Sequence, residues 1–68
     1  MSNAPHAGRE PSVGELRALA DHARQRVALY RRRMLLGRGE PSRMAELERV
    51  SDGAAGRLKR AIERERTP

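Results

Sequence analysis

Two groups of basic side chains are the residues of this chain whose type and spacing could do chemistry. The first is densest at 31–33 and continues to Arg38 and Arg43, with Glu40 as the only carboxylate in that interval. The second, near the end of the chain, comprises Arg57, Lys59, Arg60, Arg64 and Arg66. Guanidinium groups bind phosphate oxygens through paired hydrogen bonds, so both groups are candidates for nucleic-acid contact. The residues predicted for such contact are Arg31, Arg32, Arg33, Arg57, Lys59 and Arg60.

A purely structural interpretation competes with this one. Each group lies where we expect the last turns of a helix, and cations at that end complement the helix dipole. The chain has one Tyr, no Phe and no Trp, so a platform of aromatic rings for stacking single strands is not expected. Contact with the backbone of a duplex remains open, and the net charge of +6 is compatible with both interpretations.

No combination of residues predicts catalysis. His22 follows Asp21, but neighbouring positions of a helix point in different directions and do not form an oriented pair. The segment Gly37–Gly39 is too short for a phosphate-binding loop. The chain has no Cys, and its two histidines, His6 and His22, are far apart. We therefore expect no enzyme, no catalytic, cofactor-binding or metal-binding residues, and no small-molecule substrate.

The hydrophobic spacing predicts a first helix over about residues 13–36. Apolar or small residues recur at alternating intervals of three and four, which is a heptad seam. The seam consists of Val13, Leu16, Ala20, Ala23, Val27, Tyr30 and Met34. Ser12 and Glu15 have the spacing of a capping box, and Gly37 and Gly39 mark the end of the helix.

A second helix is predicted over about residues 43–65, with Ser42 as its N-cap and a loop at 37–41. Its apolar arc contains Met44, Leu47, Val50, Ser51, Ala54, Ala55, Leu58, Ala61 and Ile62. Two helices of similar length joined by a short loop predict an all-α fold, an antiparallel two-helix hairpin over 12–66. Folding back sets Ala23 near Ala54 and Ala20 near Leu58. Residues 1–11 are predicted to be a disordered arm.

A hairpin of this size is expected to need a partner. A chain of 68 residues supplies too small a core for comfortable stability, and without Cys it has no disulfide. Four leucines fall outside or at the edge of the seam, and we predict that they contact the partner: Leu19, Leu29, Leu35 and Leu36. The simplest product is a homodimer that forms a four-helix bundle. Alternatively, Leu35 and Leu36 cover the loop and Leu29 is an ordinary exposed leucine.

Residues 44–61 resemble a bacterial helix-turn-helix in the spacing of their apolar positions. The matching positions are Met44, Ala45, Leu47, Val50, Ser51, Ala55 and Leu58. The resemblance implies a turn at 51–53 and DNA contact through Arg57, Lys59 and Arg60. The chain departs from the family at Arg49, where Gly is preferred, and at Glu48, where an apolar residue is expected. The alternative is one continuous helix, weakened by its glycines.

The predicted function is a small basic interaction or assembly module that self-associates or docks on a protein partner. The alternative is a DNA-binding accessory protein that uses the second half of the chain. No apolar run is long enough to span a membrane, and the N-terminus has no apolar signal core, so a cytoplasmic location is expected. The lack of Trp and Phe also argues against anchoring at a membrane surface.

Overall fold

The computed structural model describes residues 10–67, and this part of the chain is an all-helical hairpin. Helix α1 comprises Val13–Leu35 and helix α2 comprises Pro41–Arg66, and the two pack against each other. No strand occurs between residues 10 and 67. The all-α hairpin predicted from the sequence is confirmed. The disordered arm predicted for 1–11 falls, apart from Glu10 and Pro11, outside the described residues.

Helix α1 begins with the predicted capping box. The Glu15 backbone N–H donates to Ser12 Oγ at 3.0 Å, and the Ser12 backbone N–H donates to Glu15 Oε1 at 2.8 Å. The two side chains thereby satisfy two backbone donors that have no partner within the helix.

Replacing Ser12 with alanine should lower the free energy of unfolding by about 1 kcal/mol, because the Glu15 N–H loses its acceptor. Urea denaturation followed by circular dichroism measures the change. Ser42→Ala is the matched control, since Ser42 lies inside the first turn of α2 and accepts no capping hydrogen bond. Equal losses in the two variants would contradict the capping role of Ser12.

Helix α1 ends in a Schellman motif. The Gly37 N–H donates to the Met34 carbonyl at 3.0 Å, and the Arg38 N–H donates to the Arg33 carbonyl at 2.9 Å. Gly37 has a φ of +75°, which a side chain would disfavour. Gly39 serves a different purpose, because a Cβ there would lie 2.6 Å from Met34 Sδ. The two predicted terminating glycines are therefore both used, one for its φ and one for close packing.

The start of α2 differs from the prediction. The helix begins at Pro41 with Glu40 as N-cap, so Ser42 is not the cap. Proline suits the first helical position because its fixed φ is helical and its missing N–H is not needed there. The Glu40 N–H donates to the Tyr30 hydroxyl at 2.8 Å, so a seam residue of α1 holds the loop in place.

Helix α2 is continuous, and the turn that the helix-turn-helix resemblance implied at 51–53 is not formed. Between residues 10 and 67, only Gly37 has a positive φ, so Arg49 does not adopt the turn conformation that the family assigns to Gly. Gly53 and Gly56 each disfavour a helix by about 1 kcal/mol relative to Ala. Packing of Ala54 and Leu58 against α1 offsets this cost.

Burial follows the predicted seam closely in α1. The seven seam residues are buried or half-buried, and every other residue of α1 is exposed. Ala20, Ala23 and Ala54 form the central cluster with Leu58 packed against it, as the predicted pairing requires. Two members of the α2 arc, Val50 and Ala55, are exposed instead. They lie on opposite margins of the arc, and a single partner helix covers only a narrow stripe.

Candidate functional site

The four leucines predicted to contact a partner are all exposed. Their exposed fractions are 52% for Leu19, 62% for Leu29, 82% for Leu35 and 70% for Leu36. The packing of α1 against α2 therefore does not bury them. The alternative that Leu35 and Leu36 are buried against the loop is not supported.

The structure does not bring these leucines into one patch. Leu29 and Leu36 are seven residues apart and lie on the side of α1 that faces away from α2. Leu19 instead lines a groove with Leu16 and Arg57. Leu35 is rotated about 100° from Leu36 and lies toward the flank of the helix opposite to Leu19. Leu29 and Leu36 are thus the pair that one surface can present together.

The arginine triplet at 31–33 is divided among different surfaces. The Arg31 guanidinium lies 3.4 Å from Glu48 of α2, which makes an ion pair between the helices. Arg33 lies over the ring of Tyr30, 5.9 Å from its centroid. Each residue of a helix is rotated about 100° from the last, so three consecutive arginines point in three directions. The triplet does not form a single phosphate-binding cluster.

The second predicted group is divided as well. Arg57 and Arg60 line one groove together with Arg64, Leu16 and Leu19. Lys59 does not line this groove, because it points about 100° away from Arg60 and farther from Arg57. Of the three residues predicted in this part of the chain, the structure brings Arg57 and Arg60 together.

A second groove near the loop brings Arg33, which was predicted for nucleic-acid contact, together with Arg26 and Arg43, which were not. Its lining includes Arg26, Arg33 and Arg43 beside Leu29, Tyr30 and Leu47. The signal that could have identified them is the heptad interval, by which Arg26 follows Leu19 and precedes Arg33. In α2, the same interval relates Arg43, Val50, Arg57 and Arg64.

The two grooves are the two ends of one face. Each is lined by residues of the α1 stripe that contains Leu19 and of the α2 stripe that contains Arg57, and residues seven apart share a side of a helix. We call this surface the basic face and define it by the arginines that line the grooves: Arg26, Arg33, Arg43, Arg57, Arg60 and Arg64. Glu10 is the one carboxylate in the described chain that lines either groove.

No family model, no curated protein and no solved structure matches this chain. Within 10–67, no three His, Asp or Glu side chains are grouped as metal ligands would be. None of the helices described is both long and apolar enough to cross a membrane.

Proposed function

We propose that this protein is a non-catalytic assembly module that forms a homodimer through the outer side of α1. The observation that supports the proposal is the exposure of Leu29 and Leu36 at 62% and 70% on the side of α1 that α2 does not cover. Exposed apolar side chains that share a stripe favour burial against another chain.

The thinness of the hairpin core is the reason for proposing a second copy. Seven residues are buried among those described, and four of them are alanines: Ala20, Ala23, Ala54 and Ala61. No described side chain is completely enclosed. Single cores of such small chains supply about 3–5 kcal/mol at most. Dimerisation adds buried apolar area without a disulfide, a metal or a further partner.

The outer stripe of α1 suits an antiparallel pairing with itself. The stripe has heptad spacing and consists of Ala18, His22, Gln25, Leu29, Arg32 and Leu36. A two-fold axis near residue 27 sets Leu36 opposite Ala18 of the second copy, so a large side chain meets a small one. The same axis sets Arg32 opposite His22, whereas parallel pairing would set Arg32 against its own copy. The product is a dimer of four helices.

Sedimentation of the purified protein over a concentration series tests the proposal. We expect a dimer at micromolar concentration, and a monomer when Leu29→Asp and Leu36→Asp are combined, because both would bury unpaired carboxylates. Leu35→Asp is the matched control, since Leu35 is equally apolar and 82% exposed but lies on another flank. A stable wild-type monomer, or dissociation of the control as well, would overturn the proposal. The cytoplasmic location expected from the sequence is part of this proposal, and cell fractionation tests it.

A further inference from the structure

The grooves on one of the two broad faces of the hairpin carry an excess of positive charge. On the basic face, four guanidinium groups have no carboxylate within 4.0 Å among residues 10–67: those of Arg26, Arg33, Arg57 and Arg60. The other two, Arg43 and Arg64, lie 3.0 Å from Glu46 and 3.7 Å from Glu10.

On the opposite face, two arginines are paired with carboxylates, whereas Arg17 has none within 4.0 Å among residues 10–67. Arg24 lies 2.7 Å from Asp21, and Arg31 lies 3.4 Å from Glu48. Arg24, Arg31, Glu48 and Asp52 line one groove there, with as many carboxylates as guanidinium groups. The grooves of the basic face are lined by six guanidinium groups and one carboxylate, against two of each in the opposite groove, and this difference indicates a ligand for the basic face.

The length of the basic face indicates an extended polyanion. From Arg43 to Arg64, the α2 stripe spans about 32 Å at 1.5 Å per residue. One turn of B-DNA is about 34 Å long, close to the length of this stripe, and both of its strands carry phosphates along the whole turn. Guanidinium groups bind phosphates bidentately and do not deprotonate.

The face is not built to stack bases. Tyr30 is the single aromatic residue of the chain. Its hydroxyl accepts a hydrogen bond from the Glu40 N–H, and Arg33 lies over its ring. Single-stranded nucleic acid is normally held by exposed aromatic rings, which this face does not offer. Backbone contact with a duplex needs none.

From this arrangement we infer that the basic face binds the phosphate backbone of double-stranded DNA without base readout. The inference goes beyond the proposed self-association, because the two use surfaces that share only Leu29, which lines the groove near the loop. The basic face lies across both helices, and the dimer uses the outer stripe of α1. An acidic protein segment is the competing occupant, since Leu19 and Val50 on this face are about half exposed. Charges spread over the length of both helices, from the groove near the loop to the groove at the other end, favour DNA.

The affinity should depend steeply on salt. Six contacts to phosphate give a slope of log affinity against log salt of about −5.4, so doubling the salt concentration lowers the affinity by about 40-fold. Fluorescence anisotropy with a labelled mixed-sequence duplex of about two helical turns, ~21 bp, measures both quantities. Duplexes of different sequence should bind equally, because phosphate contacts do not read bases.

Two triple variants with equal loss of charge locate the contact. Arg26→Gln, Arg57→Gln and Arg60→Gln together should weaken duplex binding by more than tenfold and reduce the slope by about 3. The control, Arg17→Gln, Arg24→Gln and Arg31→Gln, changes the opposite face and should weaken binding by less than about threefold at moderate salt. Circular dichroism checks that both variants are folded.

Three results would overturn the inference. They are equal weakening by the two triple variants, an affinity that does not change with salt, and binding of poly-L-glutamate as tight as that of the duplex. The last result would identify an acidic protein segment as the occupant. The basic-face variant should keep the wild-type sedimentation behaviour, and Leu36→Asp, which changes a residue that lines neither groove of the basic face, should keep a salt-dependent affinity for DNA. Failure of DNA binding is therefore distinguishable from failure of dimerisation.

Discussion

Replacing Leu47 with alanine should leave most of the protein unfolded at room temperature. Leu47 is 5% exposed, and it is the largest buried side chain of α2. Truncation of a buried leucine to alanine lowers the free energy of unfolding by about 2–5 kcal/mol, through lost transfer energy and the cavity that remains. A single core of this size supplies about 3–5 kcal/mol in total, so the loss is comparable to the whole stability.

Far-UV circular dichroism and urea titration measure this loss at fixed protein concentration, because dimerisation would make the stability depend on concentration. Leu35→Ala is the control for the same chemical change, since Leu35 is 82% exposed. Its effect should stay within about 0.5 kcal/mol, as for most surface substitutions. Comparable losses in the two variants would mean that Leu47 does not lie in the core of the folded protein.

Replacing Ala54 with leucine should lower the free energy of unfolding by about 1–3 kcal/mol, although it adds an apolar side chain. Ala54 is 4% exposed and packs against Ala20 and Ala23 of α1. Small residues on both sides let the two backbones approach closely. A leucine side chain fits only if the helices move apart, which also weakens the packing of Leu58.

Ala55→Leu is the matched control, because Ala55 is the next residue of the same helix and is exposed. Leucine and alanine have similar helix propensities, so the control should change the stability by no more than about 0.5 kcal/mol. Thermal unfolding of both variants at one concentration compares them. A gain in stability from Ala54→Leu would show that the centre of the hairpin has unfilled space, and the close approach of the helices would then be wrong.

The sequence was sufficient to predict which residues of α1 are buried in its seam. Its burial follows from the period of the helix and the presence of one partner, so all seven positions could be read from the spacing alone. The same method placed Val50 and Ala55 in the arc of α2, where both are exposed. The width of a buried arc depends on how many neighbours cover it, and that number is a property of the fold.

Local sequence signals were sufficient to predict the start of α1 but not the start of α2. The capping box of Ser12 involves residues three apart, so its geometry is contained in the helix itself. At the start of α2, both Pro41 and Ser42 are favourable residues for a helix start. Tyr30, ten residues from Glu40, holds the segment that precedes the helix through its hydroxyl. A contact of this kind is set by the folding back of the chain.

The sequence by itself determined the two helices, the composition of their core and the excess of positive charge. Only the tertiary structure decided which charges share a surface. Arg31 and Arg33 are two residues apart and lie on different flanks, whereas Arg26 and Arg43 are seventeen apart and line one groove. The physical reason is that each residue rotates a helix by about 100°, which separates neighbours, while the packing of α1 on α2 brings distant stripes together.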